Sequence, residues 1–140
     1  MSGTSPVAGN TFPSASLIGS VIIYAVKFIS LRARPYAGMG PYSFFNPAGF
    51  LEDARAFQSF PSGDVGIIAG PAAYFFFQIQ NRGIRWLIWL FPLSTALSRV
   101  TFNKHWPSDT FSSFIFSILT VVLIWGVSRG NQVSSRQTLA

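Results

Sequence analysis

Ser98-Arg99-Val100-Thr101-Phe102-Asn103-Lys104-His105-Trp106-Pro107-Ser108-Asp109 holds the only histidine in the 140-residue chain, with a base before it and an acid after it. Asp109 follows His105 by four residues, so on a helical turn the two side chains share a face. A carboxylate so placed can accept from one imidazole nitrogen, fix the tautomer and leave the other nitrogen free to attack. Arg99 precedes His105 by six residues, which is out of helical register, so a bend must bring the two together. A guanidinium fork beside an activated imidazole suits an anionic tetrahedral centre, of which phosphate is the commonest. Taken alone, the stretch also has a plainer reading. Pro107-Ser108-Asp109 can simply open a helix, with Arg99 and His105 as polar residues at a membrane edge.

Composition identifies the solvent. Apolar residues make up 49% of the chain, aromatics 16% and charged residues only 10%. Soluble domains average about 25% charged residues, so this sequence is drawn for lipid. The formal charge of +6 comes from scattered basic residues. A nucleic-acid footprint needs a basic stripe on a soluble face; none is visible, and no nucleic-acid partner is expected. Without cysteine, disulfides, thiolate metal sites and cysteine nucleophiles are excluded. One histidine and four acids do not furnish a protein-only zinc site, and neither metal nor cofactor is expected.

The length suits one domain: a polar N-terminal tail over 1–13, a transmembrane domain over 14–127 and a polar C-terminal tail over 128–140. Four apolar runs are expected to span as helices: Ser14–Leu31, Val65–Gln80 kinked at Pro71, Ile84–Leu97 kinked at Pro92, and Phe111–Val127. The first would give about 27 Å of helix, close to a hydrocarbon core. The expected fold class is all-α, an integral membrane bundle of about four transmembrane helices. Between the first two runs, Arg32 to Phe60 is dense in proline, glycine and aromatics, with a short interfacial helix expected from Pro47 to Phe57. Alternating spans bring Lys27–Arg34, Ser62–Asp64, Ser98–Arg99 and Asp109 to one side, where all four acids (Glu52, Asp53, Asp64, Asp109) also fall. Acids and bases gathered at helix ends are what a membrane-surface active site requires. Arg82, Arg85, Arg129 and Arg136 lie on the other side, against Arg32, Arg55 and Lys104 as the motif side's cations away from the site. By the positive-inside rule the termini are cytoplasmic and the motif face periplasmic or lumenal.

Three motifs thus line up in order: Lys27, six residues, Arg34-Pro35; Pro61-Ser62-Gly63-Asp64; and Ser98-Arg99, five residues, His105, three residues, Asp109. This set resembles the type 2 phosphatidic acid phosphatase (PAP2) superfamily, which also contains bacterial acid phosphatases and vanadium haloperoxidases. The first and third motifs agree with the family pattern at every defined position and the second at three of four. The resemblance implies a membrane lipid phosphatase that hydrolyses a phospholipid or polyprenyl (di)phosphate through a phosphohistidine intermediate, with no metal. His105 would attack phosphorus with Asp109 orienting it. Lys27, Arg34 and Arg99 would hold the equatorial oxygens, and Ser62 and the backbone N–H groups around Gly63 would add donors at a helix N-terminus.

Asp64 is the departure. The family's histidine at that position protonates the leaving alkoxide, whereas an aspartate is ionised at neutral pH in water. A diphosphate relaxes the demand, because its leaving phosphate is far less basic than an alkoxide. The expected activity is therefore weak and skewed to diphosphates. The alternative is a catalytically degenerate member that serves as a structural or accessory subunit of a larger membrane complex. Membrane enzymes of the family commonly resemble six-span bundles, so the flank of a smaller bundle is expected to be covered by lipid, a second copy or another membrane protein.

Overall fold

The computed structural model describes the backbone of residues 7–138 and the side chains of residues 17–127; its regular structure is helical throughout the described residues. α1 (Val7–Ser30) begins inside the stretch expected to be a tail. It stops where Leu31 takes a left-handed backbone with φ of 40°, a conformation that ends helices and is unfavourable for a bulky side chain. The chain then runs extended through Arg32–Arg34 and is pinned from both sides. Ala33 N–H donates to Ser43 O (2.9 Å), Arg34 N–H to Ala56 O (2.8 Å), and Ser59 N–H to Arg32 O (3.0 Å).

After a 3₁₀ turn (Pro35–Ala37) comes α2 (Pro47–Glu52), capped by Asn46, whose side chain accepts from Gly49 N–H. α2 is shorter than the Pro47–Phe57 helix expected, because Asp53 Oδ1 draws the N–H groups of Arg55 and Ala56 into a turn. α3 (Gly63–Gln78) carries Pro71 within it. The third apolar run is two helices, α4 (Arg82–Leu87) and α5 (Leu90–Thr101). Asn81 caps α4 by accepting from Gly83 and Ile84 N–H. Pro92 is the third residue of α5, where its missing N–H forfeits no helical bond; it starts a helix and does not kink one. α6 (Pro107–Thr138) continues as helix through the stretch expected to be a polar tail.

α3 is the hub, packing on α6, α1 and α5, while α1 also packs on α6. The buried stripe of α6 is Asp109, Ser113, Ser117, Thr120 and Val121, and its outward face is Phe111, Ile115, Leu119, Val122 and Leu123. α1 follows suit, with Ile23, Lys27 and Ser30 inward and Leu17, Val21, Phe28 and Ile29 outward. Small and polar residues inside with large apolar ones outside is the packing logic of helices in lipid, where close approach and interhelical hydrogen bonds hold the bundle. Ser113 Oγ donates to Ser62 O (2.8 Å) and Ser117 Oγ to Gly66 O (3.2 Å), stitching α6 to α3. A Cβ on Gly66 would run into the Ile23 side chain, so glycine there permits the approach of α1. Among the described residues, Pro107–Val127 of α6 is the segment long and apolar enough to cross a membrane, with a mean hydropathy of 2.1. At 16 residues, α3 is about 24 Å long.

Candidate active site

Sequence register demanded a bend between Arg99 and His105, and the chain supplies it at Asn103. This residue adopts a left-handed φ of 53°, which asparagine tolerates better than most. The N–H groups of Lys104 and His105 both return to Arg99 O, at 3.0 and 3.2 Å. His105 is thereby tucked under the end of α5, 1% exposed, and α6 starts two residues later.

The ring is held by backbone. His105 Nδ1 lies 2.7 Å from the carbonyl oxygen of Ser59. A carbonyl only accepts, so Nδ1 carries the proton and the neutral ring keeps its lone pair on Nε2. Asp109 Oδ2 stands 3.6 Å from Nδ1, at the far limit of a hydrogen bond. The carboxylate, 0% exposed, is also bonded from other directions. Oδ2 accepts from Ser59 Oγ (2.5 Å) and from Trp106 N–H (2.7 Å), and Oδ1 accepts from Arg32 Nη1. The bond from Trp106 N–H is that of a capping box, in which the acid at the third helical position reaches back to the cap. Pro107-Ser108-Asp109 therefore opens α6, with Asp109 beside the His105 ring. His105 precedes that helix, so the pair does not share a helical face.

Arg32, counted from sequence among the cations away from the site, is 4% exposed and sits inside it. Its Nη1 also donates to Ser108 Oγ (2.8 Å), and its Nε and Nη2 donate to Pro41 O (3.0 and 2.6 Å). Its guanidinium lies 4.7 Å from the centre of the Phe44 ring.

Around the start of α3 the donors are less committed. Lys27 Nζ donates to Gln58 O (2.9 Å) and reaches to 4.0 Å from where a Cβ on Gly63 would stand, so it hangs over the start of α3. Arg34 Nη1 donates to Lys104 O (3.2 Å). Three buried donor atoms, Arg34 Nε, Ser62 Oγ and Arg99 Nε, make no hydrogen bond. Arg99 Nε is 3.2 Å from Asp64 Oδ2, and that same oxygen is 3.9 Å from His105 Nε2. Asp64 is half exposed. The first-turn N–H groups of α3 lack intrahelical partners and add partial positive charge. Among the described residues, no three His, Cys, Asp or Glu side chains come together as metal ligands do.

The sequence pattern of the PAP2 superfamily matches residues 10–132. The chain belongs to that superfamily. It is also 28% identical over 113 residues to undecaprenyl-diphosphatase BcrC of Bacillus subtilis (strain 168), an alignment covering 80% of this chain and 53% of the relative. The chain thus spans about half the length of that curated relative. No solved structure matches it. All the PAP2 motif positions (Lys27, Arg34, Ser62, Gly63, Asp64, Arg99, His105 and Asp109) lie at one end of the helices, around His105. Arg32 and the carbonyl of Ser59 complete the surroundings of the ring, and the motif spacing points to neither.

Proposed function

We propose that this chain is a membrane lipid phosphatase that cleaves the terminal phosphoryl group of a polyprenyl or phospholipid diphosphate. The supporting observation is the pairing of a histidine whose bare nitrogen is Nε2 with buried donors, Arg34 Nε and Ser62 Oγ, that make no hydrogen bond. In this reading His105 Nε2 attacks the terminal phosphorus. A P–N bond forms, the bridging P–O bond breaks, and the lipid leaves as its monophosphate. Water then cleaves the phosphohistidine, releasing inorganic phosphate and restoring Nε2. Arg34, Arg99, Lys27, Ser62 Oγ and the α3 amides at Gly63 hold the phosphoryl oxygens as charge spreads over them. The positive charge on the phosphorylated ring is met by the Asp109 carboxylate, 3.6 Å from Nδ1.

Asp64 shapes the preference. A carboxylate beside Arg99 is a poor donor to an alkoxide, while a departing phosphate needs no proton. The family relationship to a protein named undecaprenyl-diphosphatase supports a diphosphate class. A second reading has its own support: Asp64 Oδ2 occupies the ground between Arg99 Nε and His105 Nε2 where a phosphoryl oxygen would stand. A member that holds its own carboxylate there would be a degenerate, accessory subunit of a membrane complex.

The helices are read as a multi-pass bundle in which α1, α3, the α4–α5 pair and α6 each traverse lipid. With Arg32 buried, the motif end keeps only Arg55 and Lys104 as free cations against four arginines at the other end, which favours an outward-facing site. Phosphate release by detergent-purified protein, from a diphosphate lipid and a monoester lipid, tests the function. The expected outcome is faster release from the diphosphate, none from His105→Ala, and a gain on the monoester for Asp64→His. Equal or better wild-type rates on the monoester would contradict the diphosphate preference. Silence of wild type together with activity of Asp64→His would establish the degenerate reading.

A further inference from the structure

Beside the site, α5 and α6 part to leave an apolar trough of about 910 Å³ that no step of the reaction uses. Trp89, Leu93 and Ala96 form its α5 wall, and Phe111, Phe114 and Ile118 its α6 wall. Each set recurs at three- and four-residue spacing, so each is one stripe of a helix. The stripes do not close on each other because α5 packs more on α3 than on α6. Leu93 and Phe111, 52% and 66% exposed, are the lips. Trp89 and Phe114 meet between the walls, their ring centres 6.1 Å apart. The first turn of α6 lines the motif end, and Trp86 lines the far end, backed by Phe76 at 5.0 Å between ring centres. From Pro107 to Ile118 the trough follows α6 for about 16 Å.

We propose that this trough holds the hydrocarbon chain of the lipid substrate, and that the chain is a single polyprenyl tail; the assignment rests on the phosphatase reading. The trough is continuous with the site. Its two walls are joined by the 102–106 link that carries His105, and Ala96 lies three residues before Arg99, which makes them neighbours on the α5 surface. Polarity runs the right way along it. Its hydroxyls are Ser108 and Thr110, both at the motif end and both already bonded: Ser108 Oγ accepts from Arg32 Nη1 (2.8 Å) and Thr110 Oγ1 donates to Pro107 O (2.8 Å). Nothing farther down would hold a headgroup, and mostly apolar clefts of this size are typical of small-ligand sites. A lipid with its phosphoryl group against Arg99 thus finds, beside that arginine, a slot leading down the apolar span of α6. Trp86, Trp89, Phe111 and Phe114 make the walls aromatic. Rigid rings pack well by face and edge against flat unsaturated units, and a polyprenyl lipid brings one such chain where a phospholipid brings two flexible ones.

Photolabelling reads the site without needing turnover. The probe is farnesyl diphosphate with a diazirine at the chain end, crosslinked to the detergent-purified protein and mapped by mass spectrometry. Label is expected within 86–96 and 111–118, displaced by excess farnesyl diphosphate and not by excess phosphatidylglycerol. Leu93→Trp fills the trough from its exposed lip and should cut labelling about 10-fold, the effect of putting roughly two methylene groups out of contact. Ile118→Trp fills it from the other wall and gives the same loss if Leu93→Trp does not fold. Leu119→Trp, on the outward face of α6, should label like wild type. Where wild type releases phosphate, its preference for farnesyl over dimethylallyl diphosphate falls in the two filled variants by about the same factor, through KM. Label scattered over the outward faces of α1 and α6, displacement by phosphatidylglycerol, or a chain-length preference untouched by both filled variants would overturn the proposal. A wild type that takes label in the trough yet releases no phosphate would sink the phosphatase reading and leave the chain site standing.

Discussion

The two sides of His105 are built from the same residue types and do opposite things. Behind Nδ1, Arg32, Ser59 and Asp109 are buried and mutually bonded. Around the start of α3, Arg34 Nε and Ser62 Oγ make no hydrogen bond, and Arg99 Nε faces the half-exposed Asp64 at 3.2 Å. Arg32 is fully engaged whereas Arg34 keeps a buried Nε without a hydrogen bond, a difference set by partners and not by residue identity. A satisfied buried network fixes a geometry; an unsatisfied one awaits a ligand, since each orphaned buried donor costs about 1–3 kcal/mol.

That contrast breaks most visibly in stability. Arg32→Ala leaves Asp109 as an uncompensated buried charge, and the expected loss is about 3–5 kcal/mol, read by chemical denaturation in detergent. A loss no larger than that of an exposed residue would mean that the rear network is not closed. Arg99→Ala removes a group from the front, where its partner Asp64 is half exposed and the ion pair adds little to folding. It should unfold like wild type yet release phosphate about 10²–10³-fold more slowly, the cost of losing one oxyanion donor. Ser62→Ala sharpens the same point. Its Oγ bonds nothing in the free protein, so stability should hold or rise, while inorganic phosphate inhibits less well by about 1 kcal/mol. The smallest effect belongs to Lys104→Ala at the rim, whose ammonium lies 5.3 Å from the Tyr36 ring centre. There a thermal-shift assay should register no more than about 0.5–1 kcal/mol.

The sequence made the front of the site more legible than the back. Lys27, Arg34, Ser62, Arg99 and His105 are charged or polar groups at motif spacings, and alternating apolar runs put them at one end. The back is built from what spacing does not display. Ser59 acts through a backbone carbonyl, which any residue carries. Arg32 was open to discovery: residues 31–34 fall after a helix end and before Pro35, and in an extended segment every second side chain shares a face. Arg32 and Arg34 accordingly both reach the 104–109 segment. The helix ends show a similar division. α3 was read within two residues at either end, but the third run split between Leu87 and Leu90, where Pro92 in the first turn of α5 has no N–H to carry the helix across. Hydropathy cannot see a helix break inside an apolar run.

The central claim is that Nε2 of His105 is the atom that takes the phosphoryl group. Brief incubation with a lipid diphosphate, an alkaline quench to preserve phosphohistidine, and mass spectrometry with ³¹P NMR of the modified peptide would test it most directly. The account predicts one phosphoryl group, on His105, as the Nε2 isomer and absent from His105→Ala. A protein that releases phosphate while carrying the label on Nδ1, on another residue, or on none would contradict it.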